Sequence, residues 1–121
     1  MIIDHITISV SNFERSRAFY ERALQPLGIA TLARYDGFAG MGTTRPQFWF
    51  AQGEVNKHKT HIAFVAGSRA EVDAFYKAAI AAGGEDNGAP GLRTIYHPTY
   101  YGAFVFDPDG YNVEAVCHSA V

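Results

Sequence analysis

The run His5-Ile6-Thr7-Ile8-Ser9-Val10 returns as His61-Ile62-Ala63-Phe64-Val65, and the residues after the first run return after the second. At a constant offset of 56, Ala18-Phe19-Tyr20 falls on Ala74-Phe75-Tyr76, Ala23 on Ala79 and Gly28 on Gly84, without a gap. Self-similarity on that scale marks a duplicated supersecondary unit. Each copy opens on a β-rich run whose alternation suits a half-buried strand. A helix signal comes next in both. Ser11-Asn12-Phe13-Glu14 and Ser68-Arg69-Ala70-Glu71 have the S-x-x-E form, in which hydroxyl and carboxylate cap opposing backbone amides. Phe13, Tyr20, Leu24 and Leu27, and then Val72, Phe75 or Tyr76, Ala79 and Ile80, recur at helical spacing and give each helix a core face. The helices are expected to stop near Gly28 and near Gly83-Gly84, where glycine accepts the left-handed cap.

After the first helix come strand-like stretches at 29–35, 38–41 and 46–51. After the second come a weak strand near 85–88, a loop rich in Gly and Pro, and strands at 100–106 and 111–116. Asp107-Pro108-Asp109-Gly110 between the last two is a tight turn, with Pro and Gly where a turn places them. The expected topology is βαβββ, twice. The polar residues 52–59 connect the copies and form no domain boundary, so residues 1–121 are read as one domain with modules at about 1–52 and 60–118.

The composition narrows the function. Hydrophobic residues make up 48% of the 121, and charged residues 18%, which excludes a disordered chain. A net charge of −2, from 10 basic and 12 acidic side chains, leaves no basic excess to neutralise phosphates, so no nucleic-acid partner is expected. No apolar run approaches a membrane span, and Met1-Ile2-Ile3-Asp4-His5 lacks the pattern of a secretory signal. The single cysteine, Cys117, has no internal partner, which suits a reducing cytoplasm. What remains is a cytoplasmic protein for a small molecule.

A tandem βαβββ pair with a histidine opening each copy, and Asp107-Pro108-Asp109-Gly110-Tyr111-Asn112-Val113-Glu114 near the end, resembles the vicinal-oxygen-chelate superfamily. Glyoxalase I, extradiol dioxygenases, fosfomycin-resistance transferases and bleomycin-binding proteins belong to it. Ser16-Arg17-Ala18-Phe19-Tyr20 in the first helix adds to the likeness, which runs from His5 to Val116. The resemblance implies an α+β fold in which two curled mixed sheets form half-barrels around a metal and a substrate. By position it implies His5, His61 and Glu114 as metal ligands. Two imidazoles and a carboxylate suit a divalent Lewis acid, and zinc, Fe(II), Mn(II) and Ni(II) all accept that set. Burying a carboxylate such as Glu114 without a partner is expensive, which agrees with the assignment.

The sequence departs from each named member. Glyoxalase I uses a glutamate on the last strand of the first copy, and the corresponding 46–51 stretch has no acid, only Gln47. Its arginine four residues after the first histidine is Ser9 here. Lactoylglutathione lyase activity is therefore not expected. Thr7 and Trp49 look like fosfomycin-type transferases, but the tyrosine those enzymes use is Phe104, and the chain ends before their C-terminal arginine. The loop before the penultimate strand, with Arg93, Tyr96, His97, Tyr100 and Tyr101, supplies further candidates. Arg93 and His97 would hold an anionic or carbonyl oxygen, and the tyrosines would stack or donate hydrogen bonds. Candidate substrate-binding residues are thus Thr7, Trp49, Arg93, His97, Tyr100, Tyr101 and Phe104, with His97 and Tyr100 as catalytic candidates. The expected function is a metal-dependent enzyme that chelates a small oxygen-rich substrate. The alternatives are a metal-free drug- or metabolite-binding protein and a thiol transferase. Two half-barrels joined by a short connector are also expected to pair with a second copy, in a homodimer whose sites take His5 from one chain and His61 and Glu114 from the other.

Overall fold

The computed structural model describes residues 3–120. The first module comprises β1 (Ile6–Val10), α1 (Phe13–Ala23), β2 (Ala30–Tyr35), β3 (Phe38–Gly42) and β4 (Phe48–Gln52). The second comprises β5 (His61–Val65), α2 (Arg69–Ala81), β6 (Glu85–Leu92), β7 (Tyr101–Phe106) and β8 (Asn112–Cys117). The sheets run β1-β4-β3-β2 and β5-β8-β7-β6. In each, the first strand lies parallel to the last and the remaining pairs are antiparallel. The fold is α+β, built from tandem βαβββ modules with two open mixed sheets, as the repeat predicts.

Alternation decides which face each helix covers. Ile8, Val10, Phe48 and Phe50 turn inward to Phe19 and Tyr20 of α1, with the Tyr20 ring 4.9 Å from Phe48 and 5.4 Å from Phe50. Ala103, Val105, Val113 and Ala115 turn inward to Val72, Phe75 and Ala79 of α2. These residues join in one hydrophobic cluster spanning both modules. Each sheet's other face carries no helix, and Thr7, Trp49, His61, Phe104 and Glu114 sit there.

Three local expectations need correction. Asn12, not Ser11, caps α1, accepting from Arg15 N at 3.1 Å. Ser68 caps α2 as expected, through Glu71 N at 3.2 Å. The α-helix ends at Ala23, and a 3-10 turn over Gln25–Leu27 carries the chain to Gly28 at φ 74°. Pro26 explains the change, since proline disrupts a continuing α-helix but is accepted in the first turn of a new one. The expected weak strand near 85–88 runs on through the first residues of the expected loop as one eight-residue strand, β6, and 93–100 remain a loop. β6 tolerates Pro90 because it is an edge strand, and its register shifts at Gly88.

The Asp107-Pro108-Asp109-Gly110 turn does more than reverse the chain. Asp107 Oδ1 accepts from the amides of Asp109 and Tyr111, both at 2.9 Å, and its Oδ2 accepts from Tyr20 OH of the first module. Burial raises the Asp107 carboxyl above its ordinary value, although the Tyr20 hydroxyl and the two amides pull the other way. Asp109 accepts from the Ser11 amide at 3.1 Å and pairs with Arg15 at 3.2 Å, while Tyr111 OH donates to Ser9 O at 2.6 Å. The turn therefore clamps one module to the other. Tyr20→Phe leaves a buried carboxylate short of a donor and is expected to cost about 1–3 kcal/mol in urea unfolding. An unchanged midpoint and slope would show that the clamp carries no stability.

Candidate functional site

Glu114 stands on β8 between Val113 and Ala115, which face α2, so its own side chain points to the helix-free face. It is nonetheless 1% exposed. Its Oε1 lies 2.8 Å from His61 Nε2 on the neighbouring strand β5, and its Oε2 accepts from Tyr100 OH. Gly102 makes room for this arrangement. A Cβ there would stand 3.2 Å from Glu114 Oε2 and 3.3 Å from Tyr100 Cε1. Burial, then the Glu114 carboxylate, hold the Tyr100 phenol well above its ordinary value, so it stays protonated as a donor.

Around this triad the second module supplies an aromatic wall. Phe104 pairs with Glu114 across β7 and β8, and its ring lies 6.1 Å from that of His61. The Arg93 guanidinium lies over Phe104, 5.3 Å from its centroid. His97 meets His118, its Nε2 2.7 Å from His118 Nδ1. Thr99 fixes that contact, its amide donating to His97 Nδ1 at 3.2 Å and its hydroxyl to His118 O at 2.6 Å. Tyr101 turns the opposite way from the expected pocket. It donates to Asp73 of α2 at 2.6 Å and lies under Arg69 on the helix side, because alternation along β7 groups it with Ala103 and Val105.

The first module contributes a separate set. Thr7 and Trp49 are register partners on β1 and β4, facing away from α1. Trp49 is half-buried near Phe38, over Gly40, where a Cβ would collide with the indole. His5 precedes β1 and is half-exposed, with Nδ1 2.7 Å from Asp4, which also pairs with Arg45 at 3.1 Å. His5 and His61 line one cleft of about 380 Å³ beside Gln47, Phe48, Phe64 and Val65. Yet no three His, Cys, Asp or Glu side chains among the described residues converge on one ion position. His61, Glu114, Tyr100, Phe104 and Arg93 thus lie together on the second module, Thr7 and Trp49 lie on the first, and His5 meets His61 only across the shared cleft.

The family model of the Glyoxalase/Bleomycin resistance protein/Dioxygenase superfamily matches residues 2–115. The chain belongs to this superfamily. A solved glyoxalase/bleomycin resistance protein from Albidiferax ferrireducens T118 is 27% identical, with a TM-score of 0.85 over 98% of this chain and 100% of that one. A glyoxalase/bleomycin resistance protein/dioxygenase family enzyme from Burkholderia phytofirmans PsJN shares the fold at 22% identity, with a TM-score of 0.76 over 96% and 98% of the chains. No curated protein matches the sequence. Among the described residues no helix is long and apolar enough to cross a membrane.

Within one chain, His61 and Glu114 supply two of the donor types that a divalent ion accepts. They stand on adjacent strands, with the imidazole nitrogen 2.8 Å from the carboxylate oxygen on a face that no helix covers. Tyr100 engages the carboxylate oxygen turned away from the imidazole, the place of a group that orients a ligand.

Proposed function

We propose that the protein is a metal-dependent enzyme of the glyoxalase/dioxygenase type, acting on a small oxygen-rich substrate that chelates the metal through two oxygens. His61 and Glu114 of one chain and His5 of a second would hold the ion. Glu114 carries this reading. A carboxylate 1% exposed between Val113 and Ala115, with an imidazole 2.8 Å away on a face that no helix covers, is costly to keep ionised, and a bound cation would offset that cost. A bound divalent ion supplies Lewis-acid polarisation of substrate oxygens. Tyr100 holds the carboxylate in orientation. Phe104 walls off water beside His61, and Trp49 and Thr7 of the second chain complete the opposite wall.

The shared site rests on the surfaces that each module leaves uncovered. Leu32, Tyr35 and Phe38 of the first module, and Val65, Leu92 and Ile95 of the second, are large apolar side chains exposed in the single chain. Exposed apolar surface of this kind is a mark of an interface. A symmetric dimer that sets the first module of one chain against the second module of its partner would cover both. The one cysteine, Cys117, is buried and free, in keeping with a cytoplasmic setting.

A second reading has its own support. Both Glu114 oxygens already have partners in this chain, so the triad would also serve as the polar floor of a metal-free binding pocket. Elemental analysis of protein purified without added metal separates the two. The enzyme reading expects about one divalent ion per chain, and metal-free protein that also fails to take up zinc, iron, manganese or nickel contradicts it. Glyoxalase I turnover of methylglyoxal with glutathione is expected to be negligible, because Gln47 supplies no base before β4. Robust turnover with any of these metals would overturn that.

A further inference from the structure

Arg93 is placed with more care than a solvated arginine needs. It comes just after the end of β6, its amide donates to Tyr100 O at 2.7 Å, and its side chain folds back along β6. There Nη2 donates to Ala89 O at 2.8 Å. Gly88 and Gly91 leave the space for it, since a Cβ on either would stand 3.1 Å from a terminal guanidinium nitrogen. The side chain is half-buried, and among the described residues no carboxylate lies within ion-pair distance of it. Arg15, Arg17, Arg34 and Arg45 have such partners, whereas Arg22 and Arg69, on the helices, also lack one among the described residues. Arg93 spends one N–H on a carbonyl and stacks on a ring, which leaves a planar cation with most of its five donors unused.

Its position relative to Glu114 gives the cation a use. Gly88 on β6, Phe104 on β7 and Glu114 on β8 are successive register partners, so the guanidinium over Phe104 stands at one end of a row with Glu114 at the other. Two strand spacings make that row roughly 10 Å long, the length of a small ligand. Phe104 lies along it, Tyr100 and His61 stand at its Glu114 end, and Tyr96 is ring-to-ring beside Tyr100 at 4.8 Å.

We propose that Arg93 is the oxyanion-recognition residue of this site, and that its ligand class is a small flat organic acid. The carboxylate rests on the guanidinium, the flat body lies along Phe104, and the metal-chelating oxygens sit at the far end, towards Glu114. A charged, bidentate hydrogen-bonded pair of this kind gives about ten-fold or more in affinity over a neutral counterpart. The ligand's orientation rests on the metal reading above, while the oxyanion contact does not.

The test uses two pairs of probes that differ in the carboxylate. With zinc added, calorimetry compares 3,4-dihydroxyphenylacetate with 4-methylcatechol. Without metal, amide NMR shifts compare phenylacetate with 2-phenylethanol. In the parent protein the acid is expected to bind about ten-fold tighter in each pair, with shifts along residues 88–104. In Arg93→Gln that ratio falls to near one, and Arg93→Lys, which keeps the charge without the planar fork, recovers part of it. If the acids hold no advantage in the parent, or keep it in Arg93→Gln, the assignment is overturned and Arg93 only stacks on Phe104. If neither catechol binds with zinc while phenylacetate still depends on Arg93, the oxyanion contact stands and the metal reading fails.

Discussion

Glu114→Ala is expected to abolish divalent-metal binding, the largest effect of any single substitution in the site. Without the carboxylate, the proposed ion keeps neutral imidazoles as its only protein ligands, and nothing on that face offsets its charge. The variant also strips His61 Nε2 and Tyr100 OH of their shared acceptor. Tyr100→Phe provides the graded comparison. It keeps the carboxylate and its charge but removes the donor that orients it, so affinity should fall by about 10–100-fold and not vanish. Zinc titration of the two variants beside the parent reads both effects. A Glu114→Ala protein that binds zinc as tightly as the parent would place the ion elsewhere.

Much of this site is legible in the sequence. Tyr101 pairs with Cys117 and Phe104 with Glu114, a register that fits strands reversing at the tight turn over 107–110. Extending it one step puts Tyr100 opposite His118, which is how a histidine outside the sequence-derived candidates comes to meet His97. The repeat holds the α1 cap too. Ser68 less the offset of 56 is Asn12, whereas the S-x-x-E pattern starting at Ser11 points one residue too early. Alternation along β7 likewise sends Tyr101 to α2, away from the loop tyrosines with which its position in the sequence groups it.

Other features leave no local trace. The clamp through Asp107 and Asp109 joins residues 87 and 98 positions apart, and a turn motif looks the same whether or not its aspartates hold a distant helix. Arg93 is another such case. Its lack of an ion pair and its seat above Gly88 and Gly91 depend on how β6 bends back beside β7, which no spacing in the sequence encodes. The placement of His5 is of the same kind. A repeat equivalence makes it the counterpart of His61, but whether the two meet at one ion depends on how modules pair, within a chain or between chains.

That pairing is the central claim, and subunit mixing tests it. His5→Ala and Glu114→Ala proteins should each fail to bind metal as homodimers, because every site lacks one ligand. After subunit exchange, each heterodimer contains one site with His5 from the Glu114→Ala chain and His61 and Glu114 from the His5→Ala chain, and one site missing both. Zinc titration of the isolated heterodimer is therefore expected to recover one tight site per dimer, from two proteins that have none. If the exchanged heterodimer binds no zinc, or if the protein stays monomeric at micromolar concentration while still binding it, the site is not shared between chains.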